Sequence, residues 1–222
     1  VREKKDQALL ECTEKFDGVK LEANSLRVSE KEIQVAHASA EPAFLELMRR
    51  AIRNIREYQE SIKVSAPPSL QRDGRELGVR YTPIDRVGVY VPGGRALYPS
   101  TVLMTVVPAQ VAGVPEIALV SPPTMDGDIH PMVLALAGEL GLKEIYRVGG
   151  AQAVAALAVG TETIRPMQKI VGPGNAYVAE AKRQAMGLVG IDSIAGPSEV
   201  LILADNSARA EWVAADMLAQ AE

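Results

Sequence analysis

A single cysteine, Cys12, in a chain of 222 residues excludes an intrachain disulfide and points to a reducing compartment, the cytoplasm. Histidine is nearly as scarce. His37 and His130 stand far from each other and from Cys12, so no Cys/His metal cluster can be read from spacing. Positive charge is not in excess: 24 Lys and Arg against 28 Asp and Glu leave a net charge of −4, which argues against a nucleic-acid partner. The first seven residues carry five charges and do not read as a signal peptide. Residues 96–115 lack any charge but contain Pro99, Pro108 and Pro115, whose missing or displaced hydrogen bonds make a lipid-exposed helix expensive. That stretch is expected to be buried structure in a protein without a membrane partner.

What is present is the composition of an ordinary globular protein, 47% hydrophobic and 23% charged, long enough for one large or two small domains. The first third reads as helical and charged. Ala8, Leu9, Cys12 and Phe16 follow helical spacing up to a turn at Asp17 and Gly18. Ser29 and Glu32 match a capping box opening a short helix with Ile33, Ala36 and Ala40. A longer helix is expected from Pro42 to about residue 63, with Phe44, Leu47, Met48, Ala51, Ile55, Tyr58 and Ile62 in one stripe. Its charged residues read as a solvated face. Residues 75–82 alternate loosely, like an antiparallel or edge strand.

From Asp85 short β-branched runs alternate with helix-length segments. Strands are expected at 86–91, 116–121, 144–148, 169–171 and 199–203, and helices at 99–112, 129–140, 151–160, 175–188 and 207–222. That alternation means βαβ units and an α/β fold with a mainly parallel sheet covered on both faces, hence the nearly all-apolar strands. Trp212 is expected to pack in the core.

The strands run into glycine- or proline-rich turns at 91–94, 120–123, 148–150 and 171–175. Their carboxyl ends would therefore form one rim of closely approachable backbone, where open α/β sheets bind ligands and helix N-termini favour anions. For any one turn, a tight βα connection is a sufficient explanation; four on one rim favour a ligand. Residues 172–177 (Gly-Pro-Gly-Asn-Ala-Tyr) begin like a dinucleotide glycine motif but place Tyr177 where a small residue belongs. No G-x-x-x-x-G-K-[ST] loop is present. By physics alone, the rim suits an anionic or amide-rich small molecule.

Five stretches, at 87–94, 146–153, 171–178, 195–200 and 216–222, together resemble histidinol dehydrogenase, in order and across the whole chain. The resemblance implies a Rossmann-like sheet behind a helical N-terminal segment, in an aldehyde-dehydrogenase-like architecture. Residues 1–89 and 198–222 would form one domain, with 90–197 inserted as the NAD-binding one. It implies an oxidoreductase that completes histidine biosynthesis, taking L-histidinol to L-histidine through the aldehyde with NAD and zinc, in a homodimer with intertwined domains. Tyr90, Gln152 and Asn175 would contact NAD. Their phenol and amides suit ribose or nicotinamide, although without the resemblance a core-satisfied tyrosine and two helix-capping amides are the ordinary reading. Ser198 would reach the substrate, although a turn serine bonding its own backbone is the ordinary reading. Gln220 would contact the substrate and ligate zinc, with a histidine three residues further on in the family.

The chain stops at Glu222, one residue before that histidine, and the family's glutamate–histidine catalytic pair and other zinc ligands come later. It also starts without methionine. A fragment with no catalytic residue of its own is therefore expected, neither His37 nor His130 being placed to substitute. In the whole enzyme, zinc would hold the substrate while a histidine base removes the hydroxyl proton in the first hydride transfer, and a water would be activated to attack the aldehyde in the second. One site for both steps keeps the aldehyde from escaping. The purified chain is expected to form no NADH from histidinol and to aggregate in light scattering. The alternatives are a non-catalytic nucleotide- or ligand-binding α/β module and an aldehyde dehydrogenase, which would need a nucleophilic cysteine where Cys12 is not.

Overall fold

In the computed structural model, residues 1–93, 98–124, 126–194 and 199–220 are described. Helix α1 (Lys5–Asp17) ends where Gly18 turns left-handed at φ 70°. Helix α2 (Glu30–Ser39) starts with the expected capping box: the Ser29 hydroxyl accepts from the Glu32 N–H, and the Glu32 carboxylate accepts from the Ser29 N–H at 2.8 Å. Helix α3 (Pro42–Ser61) opens on its proline. Phe44, Met48, Ala51, Ile52 and Ile55 pack inward, whereas Leu47, Tyr58 and Ile62 are exposed. The inward stripe is thus narrower than its sequence pattern and is carried by Phe44, Met48, Ala51, Ile52 and Ile55. Strands β1 (Leu70–Arg72) and β2 (Arg75–Leu77) form a hairpin over Asp73 and Gly74, both at positive φ.

The remaining elements alternate: β3 (Arg86–Tyr90), α4 (Pro99–Ala112), β4 (Glu116–Ser121), α5 (Pro131–Glu139), β5 (Glu144–Arg147), α6 (Gly150–Val159), β6 (Lys169–Val171), α7 (Ala176–Ala185), β7 (Gly190–Ile191) and α8 (Ala210–Gln220). Strands β3 to β7 form one parallel sheet in the order β5-β4-β3-β6-β7. Alternate residues serve opposite faces. Val89, Leu119 and Ile145 meet α4, α5, α2 and α3, while Tyr90, Val120 and Tyr146 meet α6, α7 and α1. Burying each such valine or leucine contributes about 1.5–3 kcal/mol, which is why both faces must be apolar. The uncharged stretch near residue 100 lies largely in α4, buried, with Pro108 inside the helix. No described helix is long and apolar enough to cross a membrane.

Two expectations fail. Residues 199–203 form no strand, and Leu201 and Leu203 are 88% and 89% exposed. The fifth strand is β7, which reaches the edge of β6 first after α7. An apolar run becomes a strand only where it is brought alongside a partner, and no described strand pairs with 199–203. Trp212 is 63% exposed, its ring covered by the Arg209 guanidinium at 4.4 Å rather than by core.

A charge cluster closes the amino end of the sheet. The buried Arg86 side chain bonds Glu116 and Glu144, and Arg165 adds bonds to Glu116 at 2.8 Å and Glu144 at 3.0 Å. Burial works to raise the Glu144 pKa, but hydrogen bonds from Arg86, Tyr146 and Arg165 outweigh it and hold it at about 2. A folded-state value below the ordinary 4.5 means stability that is present above pH 4.5 and lost as pH falls toward 2. Urea unfolding across that window is expected to show a steep loss that Glu144→Gln flattens. Equal pH slopes in the two proteins would contradict this.

Candidate functional site

The sheet order puts a reversal between β3 and β6. From β3 the chain winds outward through β4 and β5, then α6 carries it back to β6 on the other side of β3. At such a switch point the following connections depart in opposite directions and leave a crevice outside the strand ends. Tyr90 ends β3 on one side of it, and residues 172–175 follow β6 on the other. Residue 94, which ends the family-like stretch 87–94, and residues 195–198 of the stretch 195–200 lie outside the described residues.

Tyr90 is 3% exposed, and its hydroxyl accepts from the Gly150 N–H at 3.0 Å. Burial pushes its phenol pKa up; the Gly150 bond works against this, and the Asp17 carboxylate adds to it. Gln152, also buried, lies against the same glycine: a Cβ on Gly150 would come within 2.7 Å of the Gln152 Oε1. Tyr90 and Gln152 therefore converge on the first turn of α6, which has no side-chain cap. Asn175 is exposed and caps α7, its Oδ1 accepting from the Val178 N–H at 3.1 Å. Among the described residues, the Asn175 amide nitrogen has no hydrogen-bond partner. Ser198 and the side chain of Gln220, the last residue of α8, lie outside the described residues.

Sequence reasoning missed the group that shapes the β6–α7 turn. Gly172 has φ 113°, and a Cβ there would sit 2.1 Å from the Tyr90 carbonyl oxygen. Its N–H donates to the Asp192 Oδ2 at 2.7 Å, and its carbonyl accepts from the Lys182 ammonium at 2.7 Å. Lys182 is 1% exposed and also bonds the Asp192 Oδ1. Burial works to raise the Asp192 pKa, but Lys182 and the N–H groups of Gly172 and Ser193 hold it below the carboxylate range. The available signal was a lysine in line with Val178 and Ala185 on the buried side of α7.

The two histidines have structural work. His37 shares Glu139 with Arg49, and His130 caps α5, its Nδ1 accepting from the Met132 N–H at 3.2 Å. Among the described residues, no group of three or more His, Cys, Asp or Glu could hold a metal. A cavity of about 340 Å³ lies near Arg49, Ile52, Arg56, Gln110 and Glu139, where α4 and α5 end, away from the β3–β6 crevice.

The family model described as "Histidinol dehydrogenase" matches residues 1–222. The chain belongs to the histidinol dehydrogenase family. Histidinol dehydrogenase of Geobacillus kaustophilus is 57% identical over all of this chain and 52% of its own length. That of Bacillus subtilis is 54% identical over 98% of this chain and 50% of its own. A solved structure of histidinol dehydrogenase from Elizabethkingia anophelis superposes with a TM-score of 0.89 at 43% identity, covering 97% of this chain and 50% of that one. The chain thus spans about half the length of the histidinol dehydrogenases it matches.

Proposed function

We propose that this chain carries the NAD-binding part of an enzyme that oxidises L-histidinol to L-histidine through the aldehyde. Family membership supports the reaction. The observation that carries the cofactor site is the switch point between β3 and β6, flanked by Tyr90 and Asn175 with Gln152 beside it. Bound NAD supplies a hydride acceptor. The chain's own contribution is to bind and orient it: the first-turn N–H groups of α6 and α7 that Tyr90 and Asn175 do not take face anionic oxygens, and Gln152 and Asn175 offer side-chain amides. Tyr90 holds the start of α6 through its hydroxyl, and its carbonyl lies close against Gly172 in the other turn.

Zinc belongs to the proposal for the whole enzyme, with Gln220 as a ligand and Gln220 and Ser198 facing substrate. The described residues do not by themselves fit a zinc ion. A homodimer and the division into 1–89 with 198–222 around 90–197 are supported by exposed apolar side chains on the hairpin, at Leu70 and Leu77, and beyond residue 199, at Leu201, Leu203 and Leu218. The single Cys12 supports a cytoplasmic setting.

Calorimetric titration tests the cofactor site. NAD is expected to bind saturably to the purified chain, and Asn175→Asp to weaken it about tenfold, since aspartate retains the helix cap but loses the amide donor and adds charge. No saturable heat, or an unchanged affinity in the variant, would count against the site.

A further inference from the structure

The Lys182–Asp192 pair is an unusual way to fill a site one side chain from the core. Lys182 is almost fully buried, and its three ammonium protons face the Gly172 carbonyl at 2.7 Å, the Asp192 Oδ1 and the Ser193 carbonyl at 3.4 Å. Asp192 in turn accepts from the N–H of Gly172 and, at 2.7 Å, of Ser193. A well-packed apolar pair in the same volume is often as stable as a buried ion pair or more so, because two charges must be desolvated. Stability alone therefore does not explain it. What an apolar pair lacks is the ability to grip both polar groups of one residue. Here the pair does that to Gly172, which lies so close to the Tyr90 carbonyl that no Cβ would fit there. The partners come from different elements, α7 and the segment after β7, so the grip also ties those elements to the turn that ends at Asn175.

We infer that Lys182 and Asp192 are positioning residues for the ligand of the β3–β6 crevice: they hold the Gly172 peptide, and with it the turn at 172–175, in the shape that presents Asn175. This rests on the dinucleotide reading of that crevice. A turn shaped before the ligand arrives does not have to be ordered by it, so less of the interaction energy is lost on binding. Neither residue needs to touch the ligand.

The test uses the 222-residue chain, with NAD as the probe. Affinity is measured by calorimetry, and amide hydrogen exchange at 172–175 is followed without ligand. The variants are Asp192→Asn, which keeps size and an acceptor oxygen but removes the charge, the harsher Lys182→Met, and Leu142→Ala, which truncates buried core at the amino end of the sheet. Asp192→Asn is expected to speed exchange at Gly172 and to weaken NAD binding about ten- to a hundredfold, the scale of a small misplacement of binding groups. Leu142→Ala is expected to lower stability yet leave NAD affinity within about twofold, as distant sites act independently. Unchanged affinity in Asp192→Asn overturns the inference, whether or not exchange at Gly172 rises. So does equal weakening in Leu142→Ala, which would make the effect one of general stability. If the parent chain takes up no NAD, the dinucleotide reading itself falls and the positioning role falls with it. Unchanged exchange alongside normal NAD binding by the parent removes the grip alone.

Discussion

Gly172→Ala is expected to be the most damaging small substitution in the chain. The new methyl group would lie 2.1 Å from the Tyr90 carbonyl oxygen, and φ is 113°, where residues with a Cβ are strained. The obstacle is backbone in the middle of the sheet, so it cannot swing aside as a side-chain end can. Backbone strain and overpacking together are expected to cost about 4 kcal/mol, a large share of a domain's total stability. Urea unfolding would show it as a midpoint far below that of the parent. Gly18→Ala is a useful comparison: φ there is also positive, but a Cβ meets nothing within 4 Å. A midpoint loss at Gly172 no larger than at Gly18 would mean that the turn relaxes away from Tyr90.

The second large effect is expected at Arg147. Its buried guanidinium donates to the Glu32 carboxylate at 2.6 Å, to Asp128 at 3.0 Å and to the Ser25 carbonyl at 3.0 Å. Beside it the chain from 26 to 28 pairs with the outer edge of β5: the Val28 N–H donates to the Ile145 carbonyl, and the Arg147 N–H to the Leu26 carbonyl. The N-terminal segment thereby covers a sheet edge that would otherwise present unpaired backbone. Arg147→Met removes the guanidinium's bonds and leaves the Ser25 carbonyl without its donor; because Glu32 and Asp128 are themselves nearly half-exposed and can be rehydrated, the expected cost is about 1–3 kcal/mol. Limited proteolysis should then cut near residues 19–29 in the variant and spare the parent. Equal cleavage rates would place the strength of the docking in Leu26 and Val28, both buried, rather than in the arginine.

Much of the fold was legible because local rules and tertiary packing agree. The capping box at Ser29, the proline starts of α3, α4 and α5, and the glycine stops at Gly18 and Gly113 act within one turn of backbone. The all-apolar strands marked a doubly covered sheet. The failures share one cause. Leu201, Leu203 and Trp212 are apolar, but apolarity specifies burial only when something is there to pack against, and that is a property of the whole arrangement. The site was legible in part. Strand-end turns could be recognised one by one, but Lys182 and Asp192 look like two ordinary charged residues ten positions apart.

The sequence by itself determined the alternation of strands and helices, their caps, the apolar character of both sheet faces and the family. Each of these depends on residues close in the chain, or on matches counted along it. Only the tertiary structure decided the strand order, and so that the switch point falls between β3 and β6. It also decided that Tyr90 turns inward to Gly150, and that a buried lysine and aspartate converge on Gly172. Those facts follow from where α6 and α7 return to the sheet. No local preference encodes that, because it is set by the joint packing of all the layers.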